Sequence, residues 1–147
     1  MVTVRDLLRN KGVNVWSVSP ETTVIDTLKM LADKEVGALM VTKDGKMVGI
    51  VSERDFVRSI AKTGQCLLHT TVEHYMIKDV FTVSPDQPIE KCMQIMTDKR
   101  IRHLPVLEND KLTGVISIGD VVSELISNKE ETINQLENYI QGRGFSQ

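Results

Sequence analysis

Basic segments are missing from this sequence of 147 residues. Its 18 Lys and Arg residues are interspersed with 20 Asp and Glu residues, which leaves a formal net charge of -2 at pH 7. Proteins that bind nucleic acids usually concentrate Lys and Arg in one segment or on one face. We therefore expect no nucleic-acid partner.

Long apolar runs are missing as well. No segment approaches the roughly 20 apolar residues that a membrane-spanning helix needs, and the first residues contain no apolar core of a signal peptide. This absence predicts a chain that does not associate with membranes, and a cytoplasmic location is the default expectation.

Cysteine and histidine are few, and their spacing indicates neither a redox pair nor a metal site. Cys66 and Cys92 do not form a C-x-x-C motif. Cys92 lies on the apolar face of a predicted helix, where we expect a small buried side chain. Cys66 lies in a predicted loop, where we expect an accessible thiol. His69, His74 and His103 lack the spacing of zinc ligands.

Catalytic motifs are absent too. The sequence contains no G-x-S-x-G, H-E-x-x-H, P-loop or G-x-G-x-x-G motif. Neither a nucleophile–base pair nor a pair of carboxylates can be identified. We therefore expect a protein that is not an enzyme and that uses no catalytic cofactor.

What the sequence does contain is an internal repeat. Residues 15–60 align without a gap onto residues 80–125, at a constant offset of 65 positions. Val18-Ser19-Pro20 aligns with Val83-Ser84-Pro85 in this register. Because a repeat of this length is one supersecondary unit used twice, we predict two similar halves related by pseudo-two-fold symmetry.

Each repeat predicts the element order β-α-β-β-α. In the first repeat, a short strand at 16–18 precedes a helix that begins near Val24, where apolar residues recur at helical spacing. Asp44-Gly45 then predicts the turn of a hairpin, and a second helix follows from about Arg54. The corresponding turn of the second repeat is Asn109-Asp110. Neither small sheet can bury both faces alone, so we expect an α+β fold in which the repeats pack sheet to sheet.

Segments outside the repeat complete the predicted domain organisation. Residues 3–8 and 71–76 each predict a short helix before a repeat, and residues 129–140 predict a C-terminal helix with one apolar face. We expect residues 142–147 to form a frayed tail. The predicted domains are the first repeat with its N-terminal helix (1–66), the second repeat (67–127), and the C-terminal helix and tail (128–147).

The strongest local motif lies where a predicted strand of each repeat leads into a helix. It reads Gly-Ile-Val-Ser-Glu-Arg-Asp over residues 49–55 and Gly-Val-Ile-Ser-Ile-Gly-Asp over residues 114–120. One interpretation is a capping box, in which the Ser caps the helix and the Asp supports the cap. The other is a ligand site, because free N–H groups at a helix start suit phosphate and a carboxylate there accepts the hydroxyl groups of a ribose. The residues concerned are Ser52, Asp55, Ser117 and Asp120.

Each repeat also carries a basic residue near this motif, but at a different position. Arg102-His103 begins a predicted strand of the second repeat, where the first repeat has Gly37-Ala38. Arg54 in the first repeat corresponds to Gly119 in the second. These cations form either a solvated rim or donors for a phosphate, and two ligand sites built this way would not be equivalent.

Taken together, these motifs resemble the tandem cystathionine-β-synthase (CBS) domain family, whose paired form is often called a Bateman module. The resemblance covers about residues 3–127 and rests on the V-S-P starts, the strands at 36–41 and 101–106, and the duplicated G-h-h-S-x-x-D segment, where h is apolar. It implies two copies packed sheet to sheet, a homodimer of two such modules, and clefts between the copies. Family members commonly bind AMP, ADP, ATP, NAD(H) or S-adenosylmethionine in these clefts.

The resemblance also implies which residues would hold such a ligand. In the preferred cleft, Asp120 and Ser117 would bind the ribose and Arg102 and His103 the phosphate, for which Gly119 would leave room. The remaining residues implied are Trp16, Val36, Gly37 and Ala38 around the adenine of this cleft, and Asp55, Ser52, Arg54, Phe81 and Ile101 to His103 in a second cleft.

Two functions remain open at this point. The first is a stand-alone regulatory module that binds an adenine nucleotide (AMP, ADP, ATP or NAD(H)) and signals energy or redox state to a separate, unknown effector protein. The second is a dimerisation or protein-interaction module in which the Ser and Asp residues only cap helices and no nucleotide binds.

Overall fold

The computed structural model describes residues 1–140, so the tail predicted at 142–147 lies outside the described residues. These residues form α-helices, short strands and one 3-10 turn in a mixed order along the chain. The elements are α1 (Val4–Lys11), β1 (Ser17–Val18), α2 (Val24–Lys34), β2 (Ala38–Lys43), β3 (Lys46–Ser52), α3 (Glu53–Thr63), the 3-10 helix Val72–His74, α4 (Ile89–Lys99), β4 (His103–Glu108), β5 (Lys111–Ser117) and α5 (Ile118–Ile140).

The strands form two small sheets, one from each repeat. In the first sheet, β1 pairs in parallel with β2, and β2 pairs antiparallel with β3 so that Ala38 lies opposite Ser52. Strands β4 and β5 form the second sheet. Two small sheets with helices confirm the predicted α+β class.

Both predicted hairpin turns are confirmed. Asp44 and Gly45 have φ values of 53° and 78°, and Asn109 and Asp110 have φ values of 53° and 64°. Two consecutive positive φ values are what a two-residue hairpin turn requires, and Asn, Asp and Gly adopt them at the lowest cost. The turn residues therefore determine where each hairpin reverses.

The described chain divides into two compact units that do not follow the repeat boundaries. The first unit contains residues 1–13, 83–104 and 116 onward, and the second contains residues 14–82 and 105–115. In the first unit, helix α1 is tied to the segment before α4, since the Val4 N–H donates to the Gln87 carbonyl at 2.9 Å. Fully or almost fully buried residues of this unit include Val4, Leu7, Ile89, Cys92, Met96, Leu104, Ile116 and Val121.

The second unit has a core that gathers apolar side chains from β1, α2, β2, β3, α3 and the 3-10 helix. Because β2 is buried along most of its length, apolar residues occupy both of its faces. The core residues are Val18, Val24, Leu31, Leu39, Val41, Val51, Phe56 and Val72.

Three expectations differ from the structure. The first strand predicted for the second repeat is absent among the described residues, where only Val83 makes a single bridge. Within the helix predicted at 71–76, only Val72–His74 form a 3-10 helix, and extended bridges of Thr71 with Thr23 and of Ile77 with Ile50 flank this short element. The C-terminal helix predicted to begin at Lys129 is part of α5, since neither Gly nor Pro interrupts residues 120–140.

Candidate functional site

The candidate site residues lie where β3 leads into α3 and where β5 leads into α5. Val51 and Ile116, the last buried residues of these strands, are both inaccessible to solvent. Ser52 then adopts extended backbone angles (φ -120°, ψ 160°), and the helix begins at the next residue. Burial of the strand end thus determines the position of the first helical turn and of the Asp within it.

In the first repeat, the Ser and Asp form a complete capping box. The Asp55 N–H donates to the Ser52 hydroxyl at 3.3 Å, and the Ser52 N–H donates to Asp55 Oδ2 at 2.7 Å. The Ser52 hydroxyl also donates to the same carboxylate oxygen at 3.0 Å. The capping interpretation is therefore confirmed for this repeat, and Oδ1 accepts no hydrogen bond from any described residue.

In the second repeat the two backbone hydrogen bonds between the Ser and the Asp are the same. A further donor to the carboxylate comes from outside the repeat. The Ser117 N–H donates to Asp120 Oδ2 at 2.8 Å, and the Asp120 N–H donates to the Ser117 hydroxyl at 3.1 Å. The further donor is the ammonium of Lys11, the last residue of α1, whose Nζ lies 2.6 Å from Asp120 Oδ2. The carboxylate of this repeat is therefore part of an ion pair as well as of a helix cap.

These contacts alter the acidity of Asp120. Partial burial raises the pKa of its carboxyl, but hydrogen bonds from Lys11 and from the backbone and side chain of Ser117, together with the charge of Lys11, lower it by more. The net result is a pKa below the ordinary value of 3.8. Asp120 is thus an anion at neutral pH, which is the form that accepts hydroxyl donors.

The residue that precedes the second strand of each repeat lies beside the helix start. The Ile118 N–H donates to the Arg102 carbonyl at 2.8 Å, and the Glu53 N–H donates to the Gly37 carbonyl at 3.0 Å. The backbone of Arg102 therefore lies next to the Ser117 turn. In the first repeat, the equivalent position has no side chain.

The other predicted site residues occupy varied environments. Trp16 is 39% exposed, and the Lys34 ammonium lies 4.1 Å from the centre of its ring. Phe81 is exposed as well, whereas Val36 packs against the core of the second unit. Ile101 and His103 are half-buried, and Ala38 is buried within β2.

Two open hollows lie along the same helices. Gly119 lines a hollow on α5 together with Ile118, Val122 and Ile126. Arg54 lines another on α3. Large apolar side chains such as Ile126, 54% exposed, border the hollow on α5, whereas charged side chains line most of the hollow on α3.

Lys11 could not be recognised as a neighbour of Asp120 from the sequence. This residue is 109 positions from Asp120, and nothing in its neighbourhood distinguishes it from other basic residues near the end of a helix. Only the packing of α1 against α5 brings the two side chains together.

Within residues 1–140, no helix combines the length and apolar character needed to span a membrane. The same part of the chain contains no group of three or more His, Cys, Asp or Glu side chains arranged to hold a metal ion.

Comparison with known proteins identifies close relatives over most of the chain. The family model described as CBS domain matches twice, over residues 4–62 and 72–127. The mitochondrial CBS domain-containing protein CBSX3 of Arabidopsis thaliana is 36% identical, over 95% of this chain and 72% of that protein. The crystal structure of the CBS-domain containing protein ATU1752 from Agrobacterium tumefaciens is 40% identical, with a TM-score of 0.81 over 84% of this chain and 98% of that one.

A more distant structure adds a likeness of fold. The CBS domain pair of protein MJ0100, solved in complex with 5′-methylthioadenosine and S-adenosyl-L-methionine, is 21% identical. Its TM-score is 0.75, over 88% of this chain and 98% of that one. At this identity the likeness shows a shared fold and nothing further about this chain.

Proposed function

Since this chain belongs to the CBS-domain family, we propose that its two repeats form a regulatory module for an adenosine-containing ligand, namely AMP, ADP, ATP or NAD(H). The ligand regulates the module and is not a catalytic cofactor. Binding alters the contact of the module with a separate effector protein. The residues that hold the ligand in the second repeat are Asp120, Ser117, Gly119, Arg102 and His103.

The observation that carries this proposal is the distribution of hydrogen bonds over the two oxygens of the Asp120 carboxylate. The Ser117 N–H and the Lys11 ammonium both donate to Oδ2. Oδ1 receives neither of these two bonds, and a carboxylate oxygen accepts about two hydrogen bonds. Oδ1 therefore offers acceptor capacity for hydroxyl groups of a ribose.

The phosphate part of the ligand requires cations near this carboxylate. Arg102 is exposed, and its backbone is bonded to the first residue of α5. A guanidinium is the preferred side chain for phosphate because its donors match two oxygens at once. The adjacent Gly119 has only the Ser117 hydroxyl, 3.7 Å away, near the position that a Cβ would occupy, which leaves space on this side of the turn.

The relatives support the class of ligand. Protein MJ0100 was solved with two adenosine compounds, and its fold matches this one. Both compounds share the ribose and adenine but differ at the 5′ position, so they do not identify the 5′ group that this chain would accept. The adenine contacts predicted for Trp16, Val36, Gly37 and Ala38, and the second site at Asp55, Ser52, Arg54, Phe81 and Ile101, stay predictions.

Signalling requires a ligand that binds one state of the protein more tightly than another. We propose a homodimer as the responsive assembly, because exposed apolar side chains line α3 and the first half of α5. Val57 and Ile126 are 65% and 54% exposed. Val57→Glu and Ile126→Glu should each convert the dimer to a monomer in light scattering after gel filtration, whereas an unchanged mass in both would exclude these helices as the interface.

The second half of α5 is the proposed contact for the effector. Ile133, Leu136 and Ile140 are 49%, 52% and 81% exposed and recur at helical spacing. The competing function, a protein-interaction module without nucleotide, is favoured by one observation. The capping box at Ser52 and Asp55 already gives both side chains a structural role.

Thermal unfolding with candidate ligands separates the two functions. AMP, ADP, ATP, NADH and S-adenosylmethionine are added to the wild-type protein and to Asp120→Ala. A ligand at one hundred times its Kd stabilises the folded state by about 2.7 kcal/mol, which raises Tm by about 5–10 °C in a chain of this size.

The matched control is Asp6→Ala, which removes the capping box of α1 but none of the proposed ligand contacts. We expect a ligand-induced shift in the wild type and in Asp6→Ala, and its loss in Asp120→Ala. Wild-type protein that is folded and free of bound ligand, yet shifts with none of the five compounds, would establish the interaction module instead.

A further inference from the structure

The two repeats differ in how their conserved geometry is completed at the carboxylate. In the first repeat, Asp55 Oδ2 accepts hydrogen bonds from the Ser52 N–H and the Ser52 hydroxyl. In the second, the Ser117 backbone and side chain also stabilise Asp120, and the Lys11 ammonium donates to Asp120 Oδ2 as well. Lys11 therefore adds a charged donor from outside the motif, which Asp55 does not have.

The Lys11 contact also changes the charge at the carboxylate. Among residues 1–140, Asp55 forms no ion pair, so the only cation proposed for its site is the neighbouring Arg54. Asp120 is paired with Lys11, and the two side chains are 25% and 35% exposed. Because the pair is partly shielded from solvent, its neutralisation of the carboxylate matters more than it would for a fully exposed pair.

The geometry points to Lys11 as the residue that makes the second-repeat site select adenosine compounds bearing a 5′-phosphate over uncharged adenosine. This inference rests on the proposed function, in which Asp120 holds the ribose. An ammonium has three donors, so Lys11 can keep its bond to Asp120 Oδ2 while it donates to a ligand phosphate. The charge of Lys11 offsets that of Asp120, so that the positive charge of Arg102 remains as the net charge facing a phosphate.

Isothermal titration calorimetry with AMP and adenosine tests the inference. All measurements use an Asp55→Asn background, which removes the carboxylate proposed for the first-repeat site. Lys11→Met should raise the Kd for AMP on the order of tenfold, equivalent to about 1.4 kcal/mol, and change the Kd for adenosine less than about twofold. Lys11→Arg should restore the preference for AMP, since it restores the cation.

The control variant is Arg9→Met on the same helix. Arg9 lies 3.8 Å from Asp6 and is 71% exposed, so its loss removes a positive charge from α1 without touching Asp120. Affinities for both ligands should be unchanged in this variant. Lys11→Gln provides a second neutral variant with a polar side chain, and a thermal melt of each protein confirms that it is folded.

Several outcomes would overturn the inference. Equal weakening of AMP and adenosine in Lys11→Met would assign Lys11 a structural role only, and tighter AMP binding would identify it as a competitor of the ligand. Failure of the proposed function has a different signature. In that case the Asp55→Asn protein with Lys11 intact binds neither AMP nor adenosine. Alternatively, it binds each of them, and adding Asp120→Asn does not change either affinity.

Discussion

The ion pair between Lys11 and Asp120 permits a quantitative test of how α1 is held against α5. The perturbation is a double-mutant cycle of Lys11→Met, Asp120→Asn and the combined variant, in which Asn keeps the size of the side chain. The 2.6 Å contact is a charge-assisted hydrogen bond, but the Lys11 side chain is 35% exposed. Exposed ion pairs contribute about 0.2–1 kcal/mol, and hydrogen bonds to charged groups about 1.5–3 kcal/mol.

We therefore expect a coupling energy of about 1 kcal/mol at pH 7 and low ionic strength, between these two ranges. Each single variant loses this coupling, and Asp120→Asn also weakens the bond to the Ser117 N–H. The double variant should accordingly be about as stable as Asp120→Asn alone. Urea unfolding followed by circular dichroism measures the four free energies of unfolding.

The coupling should depend on pH in a defined direction. Since the folded-state pKa of Asp120 lies below its ordinary value of 3.8, the paired carboxylate stabilises the folded state fully above that ordinary value. The contribution is lost as the pH falls through the lower, folded-state pKa. A coupling energy below about 0.3 kcal/mol at pH 7, or one that increases as the pH falls below 3.8, would refute this account of the contact.

Two further predictions concern packing and cysteine exposure. Gly49→Ala should lower the free energy of unfolding by about 1–3 kcal/mol, because the added Cβ would lie 2.9 Å from the backbone oxygen of Ile77. Gly119→Ala, within a helix and without such a neighbour, should keep or raise stability in the same urea titration, and equal losses in both variants would contradict the packing argument. A thiol reagent should modify Cys66 in the native protein and Cys92 only after unfolding, because Cys92 is buried and its burial raises the thiol pKa to about 11. Rapid modification of both thiols under native conditions would contradict that placement.

The features that could be predicted from the sequence are those determined by neighbouring residues. Asp44-Gly45 and Asn109-Asp110 indicate their turns because few residues adopt positive φ, and the hairpins form where these residues occur. The helix start after Ser52 was predictable for a similar reason, since the Ser and Asp involved are only three positions apart. Because the two repeats align without a gap, an element predicted in one repeat could also be predicted at the equivalent position of the other.

The features that escaped prediction depend on the rest of the chain. The strand expected near Val83 is reduced to a single bridge, although β1 forms at the equivalent position of the first repeat. The repeat pattern could not distinguish the two positions, because strand formation depends on a paired neighbour as well as on local sequence. Lys11 was missed because α1 lies outside the repeat and meets Asp120 only through tertiary packing.

Equilibrium dialysis of radiolabelled AMP tests the central claim most directly, because it counts bound ligand without reference to stability. The wild-type protein should bind AMP saturably, and Asp120→Asn should lose at least about tenfold in affinity, equivalent to about 1.4 kcal/mol, while Asp6→Ala binds as the wild type does. Equal binding by wild type and Asp120→Asn, or no binding by folded wild-type protein, would contradict a ribose site at the start of α5.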